Sequence, residues 1–358
     1  MRTTIRIDGG AHRGPAPRRS AAPRRIVSAQ GAWLEDAEGD VFLDAATLRS
    51  GALHGHGHPA CAIDNPTVRT KDGRRAAASV AARIDAIAPG EMRCAAIGPD
   101  ATLERALAMA TAGREDQPIV PAARTGLTGL EAVLKASAGR VGAVVIEPLI
   151  ATAVQMWIRP RGELAEIRRL CDEWQVPLVC DETATGLGRT GTLLACEQEG
   201  VAPDLLRVGP SLTGGLRPFG AIIAARERIS GAEGVMEADP VGCEAAAITL
   251  DAFASDDTIA QIQPKIHLLS DLLETLAELP AVVDVRQRGL LAGVELEDEQ
   301  GAVEAQHLAL AEGLLVDRDG PVLGLSPTLT ISGPELRRLA ESLARAVSRA
   351  EPRLRAAS

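Results

Sequence analysis

Six short apolar runs alternate with segments of helical periodicity, and this alternation limits the possible folds more than any other feature of the sequence. The intervening segments, such as GELAEIRRLCDEW, carry apolar residues at the three- and four-residue spacing of an amphipathic helix. Buried strands that alternate with such helices predict an α/β fold with a mostly parallel sheet and helices on both faces. The apolar runs are RCAAIG (93–98), QPIVPA (117–122), GAVVIEP (142–148), VPLVCDE (176–182), DLLRVG (204–209) and GAIIAA (220–225).

Composition divides the chain into four predicted parts. Residues 1–28 are rich in Arg, Pro, Gly and Ala, which predicts a flexible arm. Residues 29–60 include GAWLEDAEGDVFLDAA, whose alternation around a Glu-Gly-Asp turn predicts a hairpin in the N-terminal segment of a small domain. Residues 61–245 form the predicted large α/β domain. Residues 246–358 are mainly helical, with the strand-like pieces LLAGVELED and LTISG, and predict a smaller α+β domain.

Charge and hydropathy exclude several classes of partner. The net charge is -10 and the isoelectric point is about 5.2, so the chain offers no overall positive field for nucleic acid. No apolar run approaches the roughly 20 residues that a membrane helix requires, and the first 28 residues lack the apolar core of a signal peptide. We expect a cytoplasmic protein that binds a small molecule rather than nucleic acid or a membrane.

The six cysteines are scattered, and none forms a CxxC pair. This spacing favours buried, reduced thiols over a disulfide framework or a zinc site. A segment with histidines at alternate positions, LHGHGHPA, contains His54, His56 and His58. Alternate side chains of an extended segment share a face, but no carboxylate or thiolate follows at ligand spacing, which favours a structural loop over a metal site.

Carboxylates follow two of the predicted strands. Asp181 and Glu182 end VPLVCDE, directly before the glycine-rich turn TATGLGRTG, and Glu147 ends GAVVIEP. Ligands of parallel sheets bind beyond the carboxyl ends of the strands, where Asp181 could hold a cationic ring nitrogen or could cap the following turn. Glu147 has more than one interpretation as well: an acid/base group, or a capping or interdomain carboxylate.

These pieces, in this order, resemble the class III aminotransferases, which have fold type I and use pyridoxal 5′-phosphate (PLP). Within that family the chain looks most like the diaminopelargonate aminotransferases of biotin synthesis. The resemblance implies a homodimer with the site at the subunit boundary. It is carried by GAWLEDAEGDVFLDAA before HGHGHPA, by VVIEP, by LAEIRRLCDEWQVPLVCDETATGLGRTGTLLACEQEGVAPDLLRVGPSLTGG and by ADPVGCEAAAITL.

The departures from the family pattern fall where the cofactor would touch the protein. The position of the lysine that forms the Schiff base holds Pro210, which has no amine. The Ser-Gly-Ser turn that binds the cofactor phosphate is replaced by Gly98-Pro99-Asp100, in which Pro99 removes an N–H donor and Asp100 adds a negative charge. Of the family's cofactor contacts, Asp181, the partner of the pyridine nitrogen, stays in place.

Other family positions are changed too. The threonine that a partner subunit would lend aligns with Val235, and the Tyr-His pair that stacks on the ring aligns with Leu127-Thr128. The paired tryptophans of the biotin enzymes align with Arg49-Ser50, and the late arginine that binds a substrate carboxylate aligns with Asp317, next to Arg318. The residues that pack the sheet are kept, while those that would face the cofactor are changed. We therefore expect that the fold still serves a function, but with altered chemistry.

Three functions remain open from the sequence. The first is a PLP-independent enzyme that acts on a small metabolite in a biosynthetic pathway and has neither a cofactor nor a metal. The second is a non-catalytic partner of an active aminotransferase or another pathway enzyme, in a heteromer. The third is a residual transaminase that holds PLP noncovalently, with Lys135 as the amine. For the first, the expected acid/base residues are Asp181, Glu182, Glu147 and His54, and the expected substrate-binding residues are Arg49, Asp100, Thr128, Pro210, Ser211 and Arg318.

Overall fold

A six-stranded sheet forms the centre of the larger part of the molecule. The computed structural model describes residues 24–58, 73–122, 126–138, 140–229, 239–255 and 257–357. The strands of this sheet, in chain order, are β4 (Arg93–Gly98), β5 (Ile119–Pro121), β6 (Ala143–Ile146), β9 (Leu178–Asp181), β10 (Leu205–Val208) and β11 (Gly220–Ala224). Their order across the sheet is β4-β11-β10-β9-β6-β5.

The sheet is mostly parallel, as the alternating pattern predicted. β5, β6, β9 and β10 pair in parallel along one side of the sheet. β11 runs antiparallel to both of its neighbours, β10 and β4, so it is the reversed strand among the six. The carboxyl ends of the other five strands therefore meet at one edge, which is where ligands of such sheets bind.

Helices cover both faces of this sheet. Side chains alternate between faces along a strand, so in β9 Leu178 and Cys180 enter the main core while Val179 enters a second, smaller core. The helix against the second core begins after Thr102, whose hydroxyl accepts a hydrogen bond from the backbone N–H of Arg105. The helices of this region are α2 (Gly73–Ile87), α3 (Leu103–Ala110), α4 (Gly126–Ala136), α5 (Glu163–Glu173) and α6 (Pro240–Ser255).

The N-terminal segment contains the predicted hairpin. β1 (Ile26–Gln30), β2 (Trp33–Asp36) and β3 (Val41–Asp44) pair antiparallel, and a short helix, α1 (Thr47–Ser50), follows them. β1 begins within the range that composition assigned to the flexible arm, and residues 1–23 of that arm lie outside the described residues. β3 also pairs with β14 (Leu314–Leu315), which joins this segment to the C-terminal region.

The C-terminal region is an α+β unit. Its four-stranded sheet has the order β12-β13-β16-β15. The last helix begins with a capping box, in which the side chains of Ser332 and Glu335 each accept from the other's backbone N–H. The elements are α7 (Thr258–Ala277), β12 (Val282–Arg288), β13 (Leu291–Leu296), α8 (Glu299–Ala311), β15 (Asp317–Asp319), β16 (Val322–Leu325) and α9 (Gly333–Ala357).

One strand-like piece proves to be a turn. LTISG, residues 329–333, is not a strand, although Leu329 and Ile331 are both buried as its alternation suggests. Its backbone bonds elsewhere, because the N–H of Leu329 donates to Leu53 O and that of Ile331 donates to Thr328 O. A two-stranded pair, β7 (Ile150–Ala151) and β8 (Trp157–Ile158), completes the strands. No helix in the described part of the chain has the length and apolarity needed to cross a membrane.

Candidate functional site

Three ionisable side chains stand in one row across the carboxyl edge of the sheet. Asp181 on β9 is directly opposite Arg207 on β10, and Glu147 comes one residue after Ile146, which is opposite Cys180. Each of the three comes two residues after a residue that faces α3. These preceding residues are, in the same order, Val179, Leu205 and Val145. The strand register therefore places Glu147, Asp181 and Arg207 on the same face of the sheet.

Asp181 is held by two neighbours. Its Oδ1 accepts hydrogen bonds from Thr183 Oγ1 at 2.5 Å and from the backbone N–H of Thr183 at 3.2 Å. The Nη1 of Arg207 lies 3.2 Å from Oδ1 and 3.3 Å from Oδ2. Asp181 thus caps the turn that follows β9, as one interpretation of the sequence had it, and also has a cation beside it.

Arg207 connects three parts of this edge. Besides Asp181, its Nη1 donates to Thr183 Oγ1 at 2.6 Å, and its Nε donates to Ala101 O at 3.1 Å, in the loop before α3. Its side chain is 18% exposed and that of Asp181 is 21% exposed. The guanidinium is therefore fixed in orientation, and part of the side chain remains exposed.

Glu147 retains a proton near neutral pH. The pKa of its carboxyl is raised to about 7, mainly by burial and in smaller part by the charge of Asp181, against hydrogen bonds that lower it. Those bonds come from Thr152, whose Oγ1 donates at 2.5 Å and whose backbone N–H donates at 2.8 Å. Of the predicted acid/base groups, Glu147 is thus a half-buried carboxyl that can exchange a proton near pH 7.

Glu182 faces away from the crevice into the core. It is 1% exposed and accepts from the backbone N–H groups of Ala195 at 2.6 Å and Cys196 at 2.8 Å. Burial raises the pKa of this carboxyl to about 7, while the two backbone bonds lower it. Glu182 therefore joins the end of β9 to the 3₁₀ turn at Ala195–Glu199.

Pro210 and Ser211 begin a 3₁₀ turn directly after β10. The turn spans Pro210–Thr213, and Ser211 is buried within it. The preceding residue, Gly209, packs so closely on the side chain of Thr183 that a β carbon there would overlap it. A β carbon on Gly51, which ends α1, would lie 3.0 Å from Gly215 Cα. The backbone of α1, which carries Arg49, thus lies against the loop that follows Pro210.

The other predicted substrate-binding residues lie in different elements of the chain. Asp100 is exposed in the loop between β4 and α3, and Thr128 is exposed on α4. Arg318 lies in β15 of the C-terminal region, where its Nη1 is 3.0 Å from Glu299 Oε1 and donates to Gly320 O at 3.0 Å. Val235 lies outside the described residues. Asp100 directly precedes Ala101, whose O accepts from Arg207 Nε, so its backbone lies near the strand-end residues, whereas Arg318 lies in the C-terminal region.

The histidine segment has structural contacts. The ring of His54 is buried, stacks on that of His58 with centroids 5.1 Å apart, and meets Phe253 edge-on at 4.8 Å. His56 Nε2 lies 2.8 Å from Asp44 Oδ2. Across the described residues, no three His, Cys, Asp or Glu side chains form a group that could hold a metal ion. The described cysteines, Cys94, Cys171, Cys180, Cys196 and Cys243, are free thiols.

The lysines decide whether the site fits PLP held as a Schiff base. The chain has three lysines, of which Lys71 lies outside the described residues. Lys135 is on the exposed surface of α4, where its Nζ is 2.6 Å from Glu131 Oε1. Lys265 on α7 donates to Leu329 O at 2.7 Å. The described side chains do not fit such a cofactor, because neither described lysine is placed at the row of Glu147, Asp181 and Arg207.

Two arginines of this region were not identified from the sequence. Arg207 interrupts the apolar run DLLRVG, which was the one available signal, but its partners are distant in sequence. Arg189, in the glycine-rich turn after Asp181, is 1% exposed, and burial lowers its pKa to about 10. Its Nη1 donates to Thr47 Oγ1 and Pro327 O, so it connects the large region to α1 and the C-terminal region.

Comparisons with known proteins agree with this architecture. Residues 105–347 match the family model "Aminotransferase class-III". The adenosylmethionine-8-amino-7-oxononanoate aminotransferase of Geobacter sulfurreducens is 33% identical over 62% of this chain and 54% of its own length. The omega-aminotransferase of Caulobacter vibrioides is also 33% identical, over 60% of this chain and 52% of its own length. The chain thus spans about half the length of these relatives.

Solved structures extend the similarity of the fold to nearly the whole chain. The adenosylmethionine-8-amino-7-oxononanoate aminotransferase of Methanocaldococcus jannaschii superimposes with a TM-score of 0.82. The superposition covers 93% of this chain and 96% of that one, at 24% sequence identity. The acetylornithine aminotransferase of Elizabethkingia anophelis gives a TM-score of 0.80. At this level of identity, the likeness concerns the fold alone.

Proposed function

This chain belongs to the class III aminotransferase family, and we propose that it is a member that works without a Schiff base to PLP. In this proposal, it is a PLP-independent enzyme that acts on a small metabolite of a biosynthetic pathway at the carboxyl edge of the central sheet. The family's other members lead one to expect PLP, so the cofactor is the point at which the proposal departs from the family.

The observation that carries the proposal is the residue after Gly209. Pro210 stands where the resemblance to the family places the reactive lysine, and its ring nitrogen is part of the backbone. Lys135 and Lys265 are each bonded elsewhere. Without an amine at this point, the chain lacks both the covalent tether and the base that moves the substrate proton in PLP chemistry.

Proton transfer by Glu147 is the chemistry that the edge retains. Its pKa of about 7 suits a group that both takes and gives a proton near neutral pH. Asp181 beside it is held by Arg207 and Thr183, and Glu182 is used by the core. Glu147 is therefore the proposed acid/base residue, with Asp181 raising its pKa.

Addition of PLP to the purified protein tests the proposal. We expect no visible absorption band of a protein-bound aldimine that survives dialysis. A stable band that disappears in Lys135→Ala or Lys265→Ala, but not in the surface control Arg169→Ala, would establish a transaminase with a displaced lysine. Thermal-shift screening with amino and keto acids then identifies the metabolite, and Glu147→Gln should abolish turnover while it leaves the shift of the bound ligand in place.

A second candidate function, that of a non-catalytic partner, also has support. Asp181, Glu182 and Glu147, three of the four predicted acid/base residues, already accept internal hydrogen bonds. In this case the chain would form a heteromer with an active relative, whereas the enzyme would form a homodimer. Sedimentation of the chain alone and after coexpression with the relative distinguishes the two. A homodimer that gains no mass on coexpression argues against the partner function.

A further inference from the structure

We propose that Arg207 determines the specificity of the crevice by serving as a built-in cation for Asp181, which excludes ligands that offer a cationic ring nitrogen. The inference rests on the proposed function, since it gives a physical reason why PLP would be excluded in addition to the lack of an amine. It assigns to Arg207 a role that neither the sequence pattern nor the family resemblance suggested.

The strand register holds Asp181 and Arg207 next to each other. Asp181 and Arg207 are directly opposite on neighbouring parallel strands, so their side chains leave the sheet side by side on one face. Arg207 Nη1 lies within 3.3 Å of both carboxylate oxygens. A second cation at Asp181 would lie beside this guanidinium and would be repelled by its charge, and the backbone of β10 fixes where the arginine side chain begins.

Two further hydrogen bonds fix the guanidinium in place. Nε donates to Ala101 O and Nη1 donates to Thr183 Oγ1. Thr183 in turn donates to Asp181, so the three side chains form a closed ring of hydrogen bonds. Moving Arg207 aside would break contacts to two loops as well as the ion pair, which opposes displacement by a ligand.

The charges around the guanidinium favour the same arrangement. The carboxylate of Glu104, at the start of α3, interacts with Arg207 electrostatically, and Asp181 interacts with the carboxyl of Glu147. Arg207 is thus the cation among three carboxyl groups. If it were removed, Asp181 would remain half-buried beside Glu147 and would be free to take a cationic ring nitrogen as its new partner.

Restoring a lysine with and without Arg207 tests the inference. The probe is PLP, and the readout is the dissociation constant from the aldimine absorption band, with borohydride trapping to verify the bond. We expect Pro210→Lys alone to bind PLP weakly and Pro210→Lys with Arg207→Leu to bind about tenfold more tightly or better. Arg168→Leu in the Pro210→Lys background is the matched control, because Arg168 forms a similar half-buried ion pair with Asp204 at the opposite edge of the sheet. It should leave the dissociation constant unchanged.

Each outcome separates this inference from the proposed function. Equal dissociation constants for Pro210→Lys with and without Arg207→Leu overturn the inference and leave the proposed function standing. Tight binding of PLP by Pro210→Lys alone also overturns the inference, because the cofactor would then bind while Arg207 is still present. An aldimine in the unaltered chain overturns the proposed function instead. Arg207→Gln, which keeps a donor for Ala101 O, replaces Arg207→Leu if the leucine variant does not fold, with the same result expected.

Discussion

The two edges of the central sheet each carry an aspartate paired with arginine, but the two pairs differ in what surrounds them. At the amino edge, Asp204 accepts from the backbone N–H of Leu178, from Arg168 and from Arg228. It thereby ties together the start of β9, α5 and the turn after β11. At the carboxyl edge, Asp181 is bonded to Thr183 and to Arg207 alone among the described side chains.

The difference shows how one kind of ion pair can have two uses. The bonds to Asp204 lower its pKa in spite of its burial, which marks a carboxylate that the fold keeps ionised. At the other edge, burial raises the pKa values of Glu147 and Glu182 to about 7. Because ligands of parallel sheets bind at the carboxyl edge, the pair there is placed to control binding, while the pair at the amino edge stabilises the fold.

Replacement of Asp204 should have the largest effect on stability. Asp204→Ala removes three hydrogen bonds and leaves Arg168, whose side chain is 17% exposed, without its buried partner. We expect a loss of about 3 kcal/mol in the free energy of unfolding, measured by denaturant titration. Asp172→Ala is the control, because it removes the 67% exposed partner of the same arginine. A loss no larger than that of the control would show that the amino edge is not the structural one.

The two edges should respond to pH in opposite directions. The pKa of Asp204 is lowered on folding, so its contribution to stability is present above the unfolded pKa and is lost as the pH falls through the folded pKa. The pKa of Glu182 is raised to about 7, so its contribution is lost as the pH rises from about 4.5 to about 7.

Glu182→Gln tests the second half of this comparison. A neutral side chain binds no proton in either state, so the fall in stability between pH 4.5 and 7, about 2 kcal/mol for this residue, should disappear. Denaturant titrations at a series of pH values measure it. An unchanged slope would mean that Glu182 is ionised in the fold, as the hydrogen bonds from Ala195 and Cys196 favour.

Replacement of Asp181 should have a smaller effect on stability and a clear effect on its neighbour. We expect Asp181→Asn to cost about 1 kcal/mol, since Thr183 and Arg207 keep other partners. The pKa of Glu147 should fall, because the charge of Asp181 raises it. Carboxyl NMR titration measures this shift, and Asp204→Asn should leave it unchanged. A rise in the pKa of Glu147 would contradict the row that the strand register indicates.

The smallest effect should come from Lys135. Its bond to Glu131 lies on the surface of α4, where both side chains are well exposed. We expect Lys135→Ala to change the free energy of unfolding by less than about 0.5 kcal/mol and to leave the response to PLP unchanged. Thermal unfolding with and without PLP measures both. A Lys135-dependent stabilisation by PLP would favour the transaminase hypothesis over the one proposed here.

The sequence predicted the sheet well because its strands have two buried faces and therefore read as continuous apolar runs. All six runs of the large region contain strands, and VPLVCDE correctly placed Asp181 at a strand end. The prediction of a strand at LTISG was wrong for a physical reason. Leu329 and Ile331 are buried in a turn, and this burial gives the same alternation with polar residues that a strand would show. An alternating pattern of apolar residues indicates that those residues are buried, but buried residues need not belong to a β-sheet.

The site was harder to predict than the sheet. The position of Arg207 within DLLRVG indicated that an arginine enters the sheet, but its partners Asp181 and Ala101 are brought to it only by strand order. Glu182 and Glu147 are equivalent in sequence, as carboxylates at strand ends, yet Glu182 is buried in the core and Glu147 is half-buried at the carboxyl edge. Side-chain direction at a strand end depends on the exact residue at which the strand stops.

Borohydride reduction of the unaltered protein with equimolar PLP, followed by peptide mass spectrometry, tests the central claim most directly. The chain has only the lysines Lys71, Lys135 and Lys265, so every possible Schiff base to a side chain is covered by three peptides. The account predicts that none of them carries the phosphopyridoxyl group stoichiometrically. Complete labelling of any one lysine, removed by its replacement with alanine, would contradict it.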